Sequence, residues 1–337
     1  MNARLNILTA IGLTTAALVG CGGDDEGGGE EGRASTQARS SLPKPIAAAG
    51  AESVDLSDVQ LTELSIRNPD WTVSAFGSLW IKRDDAGVVR VDPDTGKVIA
   101  RIPSSLRGEH LCQGIGASEE AIWSCPREGV ITRIDPAKNA VAATVRIDKL
   151  PVQGRIVSAA DRVWALTDAG TKLTAIDPRD NKPAKTVALD FSCAELAAAG
   201  DTLWAMCPDD DRVLRIDAAT RAVTGELPLA GATNAAVSDH VWVGFERGVA
   251  QIEPKTLDVL AVYDVHPRYG GSLFATPDAV WVREEGGHFL TRIDPGSRRI
   301  AETIEAPELP SGGDVVELGG SVWATAYDDA TLVELRP

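Results

Sequence analysis

The sequence repeats one pattern seven times, at intervals of roughly forty residues. Each copy places a tryptophan in the middle of a short alternating segment, as in SLWIK, AIWSC, RVWAL and HVWVG. The seven tryptophans are Trp80, Trp123, Trp164, Trp204, Trp242, Trp281 and Trp323. A regular period is the signature of a repeat architecture, and about 40–45 residues is the length of one four-stranded propeller blade.

The residues around each tryptophan favour strands over helices. The segments are short, alternating and rich in β-branched side chains, and Gly, Asp or Pro interrupts them at short intervals. This rhythm of strand and turn excludes the helical repeats of similar length. The sequence therefore predicts an all-β fold, a seven-bladed β-propeller with four strands in each blade.

A second repeated element, Ile-Asp or a close variant, follows six of the seven tryptophans by about a dozen residues. An Asp side chain can accept a hydrogen bond from a backbone N–H two residues later, and a following Pro presets φ for a turn. We therefore interpret these aspartates as turn residues rather than a catalytic ring, and the tryptophans as packing between adjacent blades. The aspartates are Asp92, Asp135, Asp177, Asp217 and Asp294.

The last repeat, GGDVVELGGSVWATAYDDATLVELRP, has only three strands. The segment VQLTELSI, residues 59–66, precedes the first inner strand and resembles an outer strand. We predict that this N-terminal strand completes the last blade, because closing the ring removes two exposed sheet edges. The predicted propeller spans residues 59–337.

The N-terminal residues 1–20 have a basic start and a short apolar run, which is typical of a secretory signal. The following Leu-Val-Gly-Cys resembles a bacterial lipobox, and that resemblance implies cleavage before Cys21 and attachment of acyl chains such as palmitate to its sulfur. An uncleaved short membrane anchor is the alternative. Residues 21–58 are rich in Gly, Ser, Ala and acidic residues, so we expect a flexible tether to a lipid-anchored protein of the bacterial cell envelope, outside the cytoplasm.

The chain carries a formal net charge of −16 and has a pI near 4.7. Binding of nucleic acid requires a basic surface, so nucleic acid is excluded as a partner, and so is electrostatic attachment to anionic lipid. We expect a monomer that contacts the membrane through Cys21 alone.

Apart from Cys21, the chain contains four cysteines, and each pair brackets one hairpin at the centre of a blade. In an antiparallel hairpin the paired residues face each other at a distance that suits a disulfide. Four cysteines allow three disulfide connectivities, and four free thiols are the alternative to any disulfide. We favour the pairs Cys112–Cys125 and Cys193–Cys207. The chain has no CxxC motif or nearby histidine pair, so we predict no metal site there.

The segments ITRIDPAKNAVAATVRI and VWVREEGGHFLTRIDPGSRRIAETI resemble the repeats of YVTN-type bacterial β-propellers, with Trp where that family often has Tyr. The resemblance covers about residues 60–337. Streptogramin lyases and quinoprotein-amine-dehydrogenase-like propellers are relatives in this broad sense, and the second name describes shape without implying a quinone.

Propellers usually bind ligands where the central channel opens. The residues that begin the seven inner strands lie there and differ in kind, whereas a purely structural ring would be more uniform. We predict a ligand site among them, with a polar, water-filled lining as the alternative. These residues are Trp71, Gln113, Arg155, Glu195, Asn234, Ser272 and Asp314.

A second group of candidates falls in the loops of blades five and six. The segment DVHPRYGGS contains His266, Arg268 and Tyr269, and the segment REEGGH contains Glu284 and His288. His and Glu can act as a general base and the group that orients it. The resemblance to streptogramin lyases implies such a pair, although their spacing is not recognisable here, and solvated surface loops are the alternative.

The sequence thus predicts a lipid-anchored binding or interaction module, with an unknown protein or small molecule on the channel face and no cofactor. The alternative is a lyase or hydrolase, of the streptogramin-lyase kind, that uses His266, His288 and Glu284. A divalent cation belongs to that alternative only.

Overall fold

The structure is a computed structural model. It describes residues 42–58, 61–83, 87–104, 112–148, 154–184, 186–267, 272–284 and 287–336. The signal segment and Cys21 lie outside the described residues.

Within these residues the chain forms seven sheets arranged as a ring, which confirms the predicted seven-bladed propeller; the strands within each sheet are antiparallel apart from β1, which is parallel to its neighbour. Two strands precede the first blade, and blades one to four then follow in chain order. The strands up to the end of blade four are β1 (Glu52–Asp55), β2 (Leu61–Ser65), β3 (Pro69–Ala75), β4 (Ser78–Arg83), β5 (Val88–Asp92), β6 (Lys97–Ile102), β7 (Ile115–Ala117), β8 (Ile122–Arg127), β9 (Val130–Asp135), β10 (Ala140–Arg146), β11 (Val157–Ala159), β12 (Arg162–Thr167), β13 (Lys172–Asp177), β14 (Lys182–Pro183), β15 (Val187–Ala188), β16 (Glu195–Ala199), β17 (Thr202–Cys207), β18 (Arg212–Asp217) and β19 (Ala222–Pro228).

Blades five to seven complete the ring. Their strands are β20 (Asn234–Val237), β21 (Val241–Phe245), β22 (Gly248–Ile252), β23 (Val259–Tyr263), β24 (Ser272–Ala275), β25 (Val280–Arg283), β26 (Leu290–Asp294), β27 (Arg299–Glu305), β28 (Val315–Leu318), β29 (Ser321–Ala326) and β30 (Thr331–Leu335). Two short 3₁₀ turns, Leu56–Asp58 and Pro208–Asp210, are also present.

The first strand of each blade lines the axis of the ring. These inner strands contact one another in sequence, from β3 to β7, β11, β16, β20, β24 and β28, and β28 contacts β3 again. The starts of all seven inner strands therefore lie at one end of a common channel.

Closure of the ring occurs as predicted. Strand β2 pairs antiparallel with β30, with Leu61 opposite Leu335, and becomes the outer strand of blade seven. The first and last parts of the propeller are thus joined within one sheet, and β30 has a partner on each side.

Residues 42–58, which the sequence analysis places in the tether, lie along the rim of blades five and six. Ile46 bridges to Tyr263, and β1 pairs in parallel with β27. Ile46 packs against the cluster around Trp242, and Leu56 is buried in the cluster around Trp281. Residues 42–58 thus contact the propeller, because a few apolar side chains in a mostly small and polar segment pack on the rim.

The repeated tryptophans pack between blades, as predicted. Trp164 of blade three lies in one cluster with Leu196 and Leu203 of blade four, and Trp323 of blade seven lies in one cluster with Leu79 and Ile81 of blade one. All seven are nearly inaccessible to solvent. Large aromatic side chains thus fill the wedges that open as twisted sheets radiate from the axis.

The repeated aspartates cap turns, which also confirms the interpretation from the sequence. Asp92 Oδ1 accepts hydrogen bonds from the backbone N–H groups of Asp94 (3.0 Å) and Thr95 (2.9 Å). Hydrogen bonds from Arg179 lower the pKa of Asp177 to about 2. These carboxylates are committed to the geometry of the turns.

Candidate functional site at the channel end

Four of the seven residues that begin the inner strands meet at the end of the channel. The Arg155 guanidinium lies 3.5 Å from Glu195 (Nε to Oε1) and 2.8 Å from Asp314 (Nη2 to Oδ1). It also stacks 4.5 Å from the ring centre of Trp71. Because Arg155 belongs to blade three and Asp314 to blade seven, this side chain reaches across the channel. We call these four residues the channel-end cluster.

Asp314 is held in place by hydrogen bonds from several neighbours. Its Oδ2 accepts hydrogen bonds from the Thr72 backbone N–H (2.8 Å) and the Thr72 hydroxyl (3.3 Å), and its Oδ1 accepts one from the Val315 N–H (3.0 Å). With Arg155 as a further donor, the carboxylate is surrounded by hydrogen-bond donors although it is almost fully buried. This arrangement satisfies the oxygens of the carboxyl group and holds Arg155 in place.

Glu195 differs from Asp314 although both contact the same guanidinium. Burial raises the pKa of Glu195 to about 8, and the opposing charge of Arg155 only partly offsets the cost of desolvation. The Glu195 carboxyl is therefore protonated at pH 7 and can lose its proton slightly above it. A group of this kind can donate or accept a proton under physiological conditions.

Arg155 remains charged and is the accessible part of the cluster. Burial lowers its pKa, but the charge of Asp314 and the hydrogen bond to it act in the opposite direction, and the net shift is upward. Its side chain is 21% exposed, against 5% for Glu195 and 1% for Asp314. A ligand that enters the channel thus meets guanidinium N–H groups and the half-buried ring of Trp71.

Two disulfides lie beside this end of the channel, with the connectivity that the sequence favours. Cys112 pairs with Cys125 and Cys193 with Cys207, at Cα–Cα distances of 5.4 and 3.8 Å. The second bond lies two residues before Glu195. It fixes the segment that leads into the strand carrying this carboxyl.

Gly170 provides a second support for that segment. The Cys193 N–H donates to the Gly170 carbonyl (3.1 Å), and a Cβ on Gly170 would lie 1.9 Å from the Cys193 carbonyl oxygen. Gly170 also has a φ of +83°. Only glycine satisfies both the close approach and the left-handed backbone.

The other three inner-strand candidates have separate surroundings. Asn234 Nδ2 donates to the Pro267 carbonyl (3.0 Å), and Ser272 Oγ accepts from the Val315 N–H (3.1 Å). The Gln113 side-chain oxygen is buried and has no hydrogen-bond partner among the described residues. The described contacts of the Arg155 side chain are with Asp314, Glu195 and Trp71.

The structure distributes the His/Glu candidates of blades five and six among different partners. His266 Nε2 lies 2.9 Å from Asp264, and His288 Nδ1 lies 2.5 Å from Glu305. Both pairs are substantially exposed.

Glu284 is buried, and its carboxylate faces Thr291 and the backbone of His266. It accepts hydrogen bonds from the Thr291 hydroxyl (2.8 Å) and the His266 N–H (3.3 Å). Neither histidine ring is hydrogen bonded to Glu284, so the acid and base of the sequence hypothesis do not form a pair. Arg268 and Tyr269, from the same prediction, lie outside the described residues.

The sequence analysis missed the residues that support Asp314. Thr72 follows the predicted Trp71, and Thr325 accepts from the Asp314 N–H (2.7 Å) and donates to the Asp70 carbonyl (3.0 Å). A threonine in a strand carries no signal of such a role.

The described part of the chain contains no group of three or more His, Cys, Asp or Glu side chains arranged to hold a metal ion. It also contains no helix long and apolar enough to cross a membrane.

Comparison with protein families gives one match. The family model of the glutamine cyclotransferases matches residues 81–255, just over half of the 337 residues. The chain belongs to this family. The matched segment includes Arg155 and Glu195, and the match replaces the expected relationship to streptogramin lyases. No curated protein is similar enough in sequence to count as a match.

Solved structures show the same fold at low sequence identity. The β-propeller domain of Cps50 (Swd1) from Myceliophteria thermophila is 13% identical, with a TM-score of 0.66, covering 82% of this chain and 100% of that one. The Pan2 WD40 domain of Neurospora crassa is 10% identical, with a TM-score of 0.61 and coverages of 83% and 90%. BamB from Moraxella catarrhalis is 13% identical, with a TM-score of 0.54 and coverages of 77% and 80%.

Proposed function

We propose that this protein binds a small molecule or a peptide end through the channel-end cluster, and that the ligand presents a carbonyl, carboxamide or carboxylate group. The observation that carries this proposal is the position of Arg155. Its guanidinium is anchored on Asp314 and still partly open to the channel, and it lies over the flat ring of Trp71.

The chemistry of the cluster supports that ligand class. The groups facing a ligand are hydrogen-bond donors, namely the free N–H groups of Arg155 and the protonated carboxyl of Glu195. Oxygen acceptors complement such donors, and a planar amide or carboxylate can lie against an aromatic ring while it accepts them. The site would take the ligand from solvent, because propeller channels open at the face.

We also propose that the protein lies outside the cytoplasm and is anchored to a membrane. Two disulfides are typical of proteins outside the cytoplasm. An anchor on Cys21 would hold the propeller at the surface of a membrane of the cell envelope. Detergent phase partitioning of the wild type and of the Cys21→Ser variant tests the anchor, since only the lipidated chain should enter the detergent phase.

Titration calorimetry with glutamine, glutaminyl-alanine and pyroglutamyl-alanine tests the ligand site. We expect at least one of these probes to bind the wild type and to bind the Arg155→Gln variant at least about tenfold more weakly, as for the loss of a charge-assisted hydrogen bond. The matched control is Arg299→Gln, an exposed arginine of an outer strand. Failure of all three probes to bind, or equal binding by Arg155→Gln, would contradict the proposal.

Membership of the glutamine cyclotransferases favours a second candidate, the cyclisation of an N-terminal glutamine. In that reaction the α-amino nitrogen forms a bond to the side-chain carbonyl carbon, the bond from this carbon to the amide nitrogen breaks, and ammonia leaves. Arg155 would stabilise the negative oxygen of the tetrahedral intermediate. Glu195 would carry a proton from the attacking amine to the departing nitrogen, a task that a pKa near the working pH favours.

Mass spectrometry of glutaminyl-alanine incubated with the protein separates the two candidates. Loss of ammonia that disappears in Glu195→Gln but persists in Glu226→Gln supports cyclisation. Tight binding without any conversion supports the binding module and excludes the enzyme for this substrate.

A further inference from the structure

A repeated clamp joins some neighbouring blades at the end of the ring opposite the channel-end cluster. In blade one, Arg90 Nη1 donates to the Pro136 carbonyl (2.7 Å) and to Asn139 Oδ1 (2.8 Å) in the turn of blade two. In blade four, Arg215 Nη1 donates to the carbonyls of Pro254 (2.8 Å) and Lys255 (2.6 Å) in the turn of blade five. Each arginine thus holds the turn between the third and outer strands of the next blade.

The clamping arginines stand opposite a repeated tryptophan. Arg90 pairs in register with Trp80, and Arg215 with Trp204. The same register places Arg133 opposite Trp123 in blade two, where it pairs with Glu120 (3.2 Å) instead. An arginine opposite the tryptophan therefore places its guanidinium N–H groups where they can donate to an acceptor beside the sheet.

Blade six has this pair, but the neighbouring turn is missing. Arg292 stands opposite Trp281, with its guanidinium carbon 5.9 Å from the ring centre. The outer strand of blade seven, β2, comes from far earlier in the chain than β30, so no turn connects these two strands. Among the described residues, Arg292 has no hydrogen-bond acceptor.

A cavity of about 340 Å³ occupies this place. It lies between blades six and seven and is lined by Thr276, Trp281, Arg292, Glu302, Glu317 and Val322, among others. We call it the notch. Beside Arg90 and Arg215, the corresponding position is occupied by the turn between the third and outer strands of the next blade.

Trp281 forms one wall of the notch. It is only 5% exposed, and its Nε1 is buried without a hydrogen-bond partner among the described residues. In Trp80 and Trp164 the same nitrogen donates to the carbonyl five residues earlier, and in blade six that position is Thr276, which lines the notch. The indole nitrogens of Trp242 and Trp323 also have no hydrogen-bond partner among the described residues. An unpaired indole alone therefore does not identify a site, and the notch is distinguished by Arg292 and by the cavity.

The walls of the notch are acidic. Glu302 and Glu317 line it together with Asp278, and strand β1 places Glu52 opposite Glu302. Burial, opposed by Arg292 and reinforced by Glu52, raises the pKa of Glu302. The notch therefore combines donors for carbonyl oxygens with carboxylates that attract a basic side chain.

We propose that the notch is a docking site for a turn of another protein, one that presents backbone carbonyls and a basic side chain. The turn at residues 253–258, EPKTLD, is the model for the occupant, because its carbonyls already satisfy Arg215 and it carries Lys255. This site is separate from the channel-end cluster and does not depend on the function proposed for that cluster.

Fluorescence anisotropy with a labelled cyclic peptide of sequence EPKTLD tests the proposal on the full chain. We expect saturable binding that weakens at least about tenfold in Arg292→Gln, the loss expected when a charge-assisted hydrogen bond is removed. Arg133→Gln, which removes an arginine at the same register in blade two, should bind as the wild type does. A peptide with Gln in place of Lys should also bind more weakly.

Thermal melting of each variant distinguishes loss of the site from loss of the fold, and Glu317→Gln offers a second variant on the opposite wall. Absence of saturable binding up to about 1 mM, the weak end of specific affinity, overturns the proposal. So does equal binding by Arg292→Gln. A lower melting temperature in Arg292→Gln without any peptide binding to the wild type would show that residues of this chain fill the notch, which also overturns it.

Discussion

Replacing Glu195 by glutamine should remove a pH dependence from the stability of the fold. Glu195 is 3% exposed, and its pKa rises from 4.5 to about 8 in the folded protein. Between these two values the unfolded chain has lost the proton and the folded chain has kept it. The stabilising contribution of the protonated carboxyl is therefore complete below pH 4.5 and is lost as the pH rises through 8.

The magnitude follows from the width of this window. One unit of pKa shift corresponds to about 1.36 kcal/mol, and the window is about three and a half units wide. The free energy of unfolding of the wild type should therefore fall by up to about 5 kcal/mol, relative to Glu195→Gln, between pH 4.5 and pH 8. Glutamine has the shape of the protonated acid and cannot ionise, so the variant keeps the hydrogen-bonding groups without the titration.

Guanidinium denaturation at pH 5, 7 and 9 measures the effect, with the disulfides intact and tryptophan fluorescence as the signal. The variant should resemble the wild type at pH 5 and exceed it in stability at pH 9. Glu226→Gln, which removes an exposed outer-strand carboxylate, controls for a general change in net charge. A difference between wild type and Glu195→Gln that is the same at pH 5 and pH 9 would refute the reasoning.

Three further changes test the parts of the fold that hold the site. Trp164→Ala should lower the free energy of unfolding by about 3–5 kcal/mol in denaturant titrations, since it opens a cavity between two blades. Joint replacement of Cys193 and Cys207 by serine should cost about 2–4 kcal/mol and weaken ligand binding in the calorimetric assay, because the segment before Glu195 loses its tie. Asp217→Ala removes the acceptor for the Thr220 N–H (2.6 Å) and should cost about 1 kcal/mol, measured as a small fall in melting temperature without loss of binding.

The fold could be predicted from the sequence because its information is repeated. A tryptophan such as Trp164 recurs at one phase of the period, and each copy confirms the interpretation of the others. Closure by β2 was also predictable, since three strands at one end of the chain require a fourth from elsewhere. The disulfides followed from the hairpin spacing for the same local reason.

The channel-end cluster could be predicted only as a set of positions. The repeat places Arg155, Glu195 and Asp314 at equivalent points of their blades, but the contact between Arg155 and Asp314 depends on the diameter of the channel and on the reach of one side chain. The burial that raises the pKa of Glu195 is likewise a property of the assembled ring. Sequence spacing contains neither quantity.

Two further features, the packing of residues 42–58 on the rim and the partners of the His/Glu candidates, also depend on the assembled fold and not on sequence spacing. Ile46 and Leu56 are isolated apolar residues in a segment whose composition is that of a tether, so their places on blades five and six leave no periodic trace. His288 and Glu284 are four residues apart, yet one faces Glu305 and the other Thr291. Proximity along a loop does not determine which way side chains point.

The manner of closure connects the fold to the notch. A ring closed within one sheet completes its last blade, but it obtains the outer strand of that blade from the other end of the chain and thereby loses one turn of the repeat. Neighbouring turns supply acceptors for Arg90 and Arg215, whereas Arg292 faces an open cavity with acidic walls. A repeat protein departs from its own pattern where its ends meet, and that departure is where a structure built from similar blades can acquire a surface found only once.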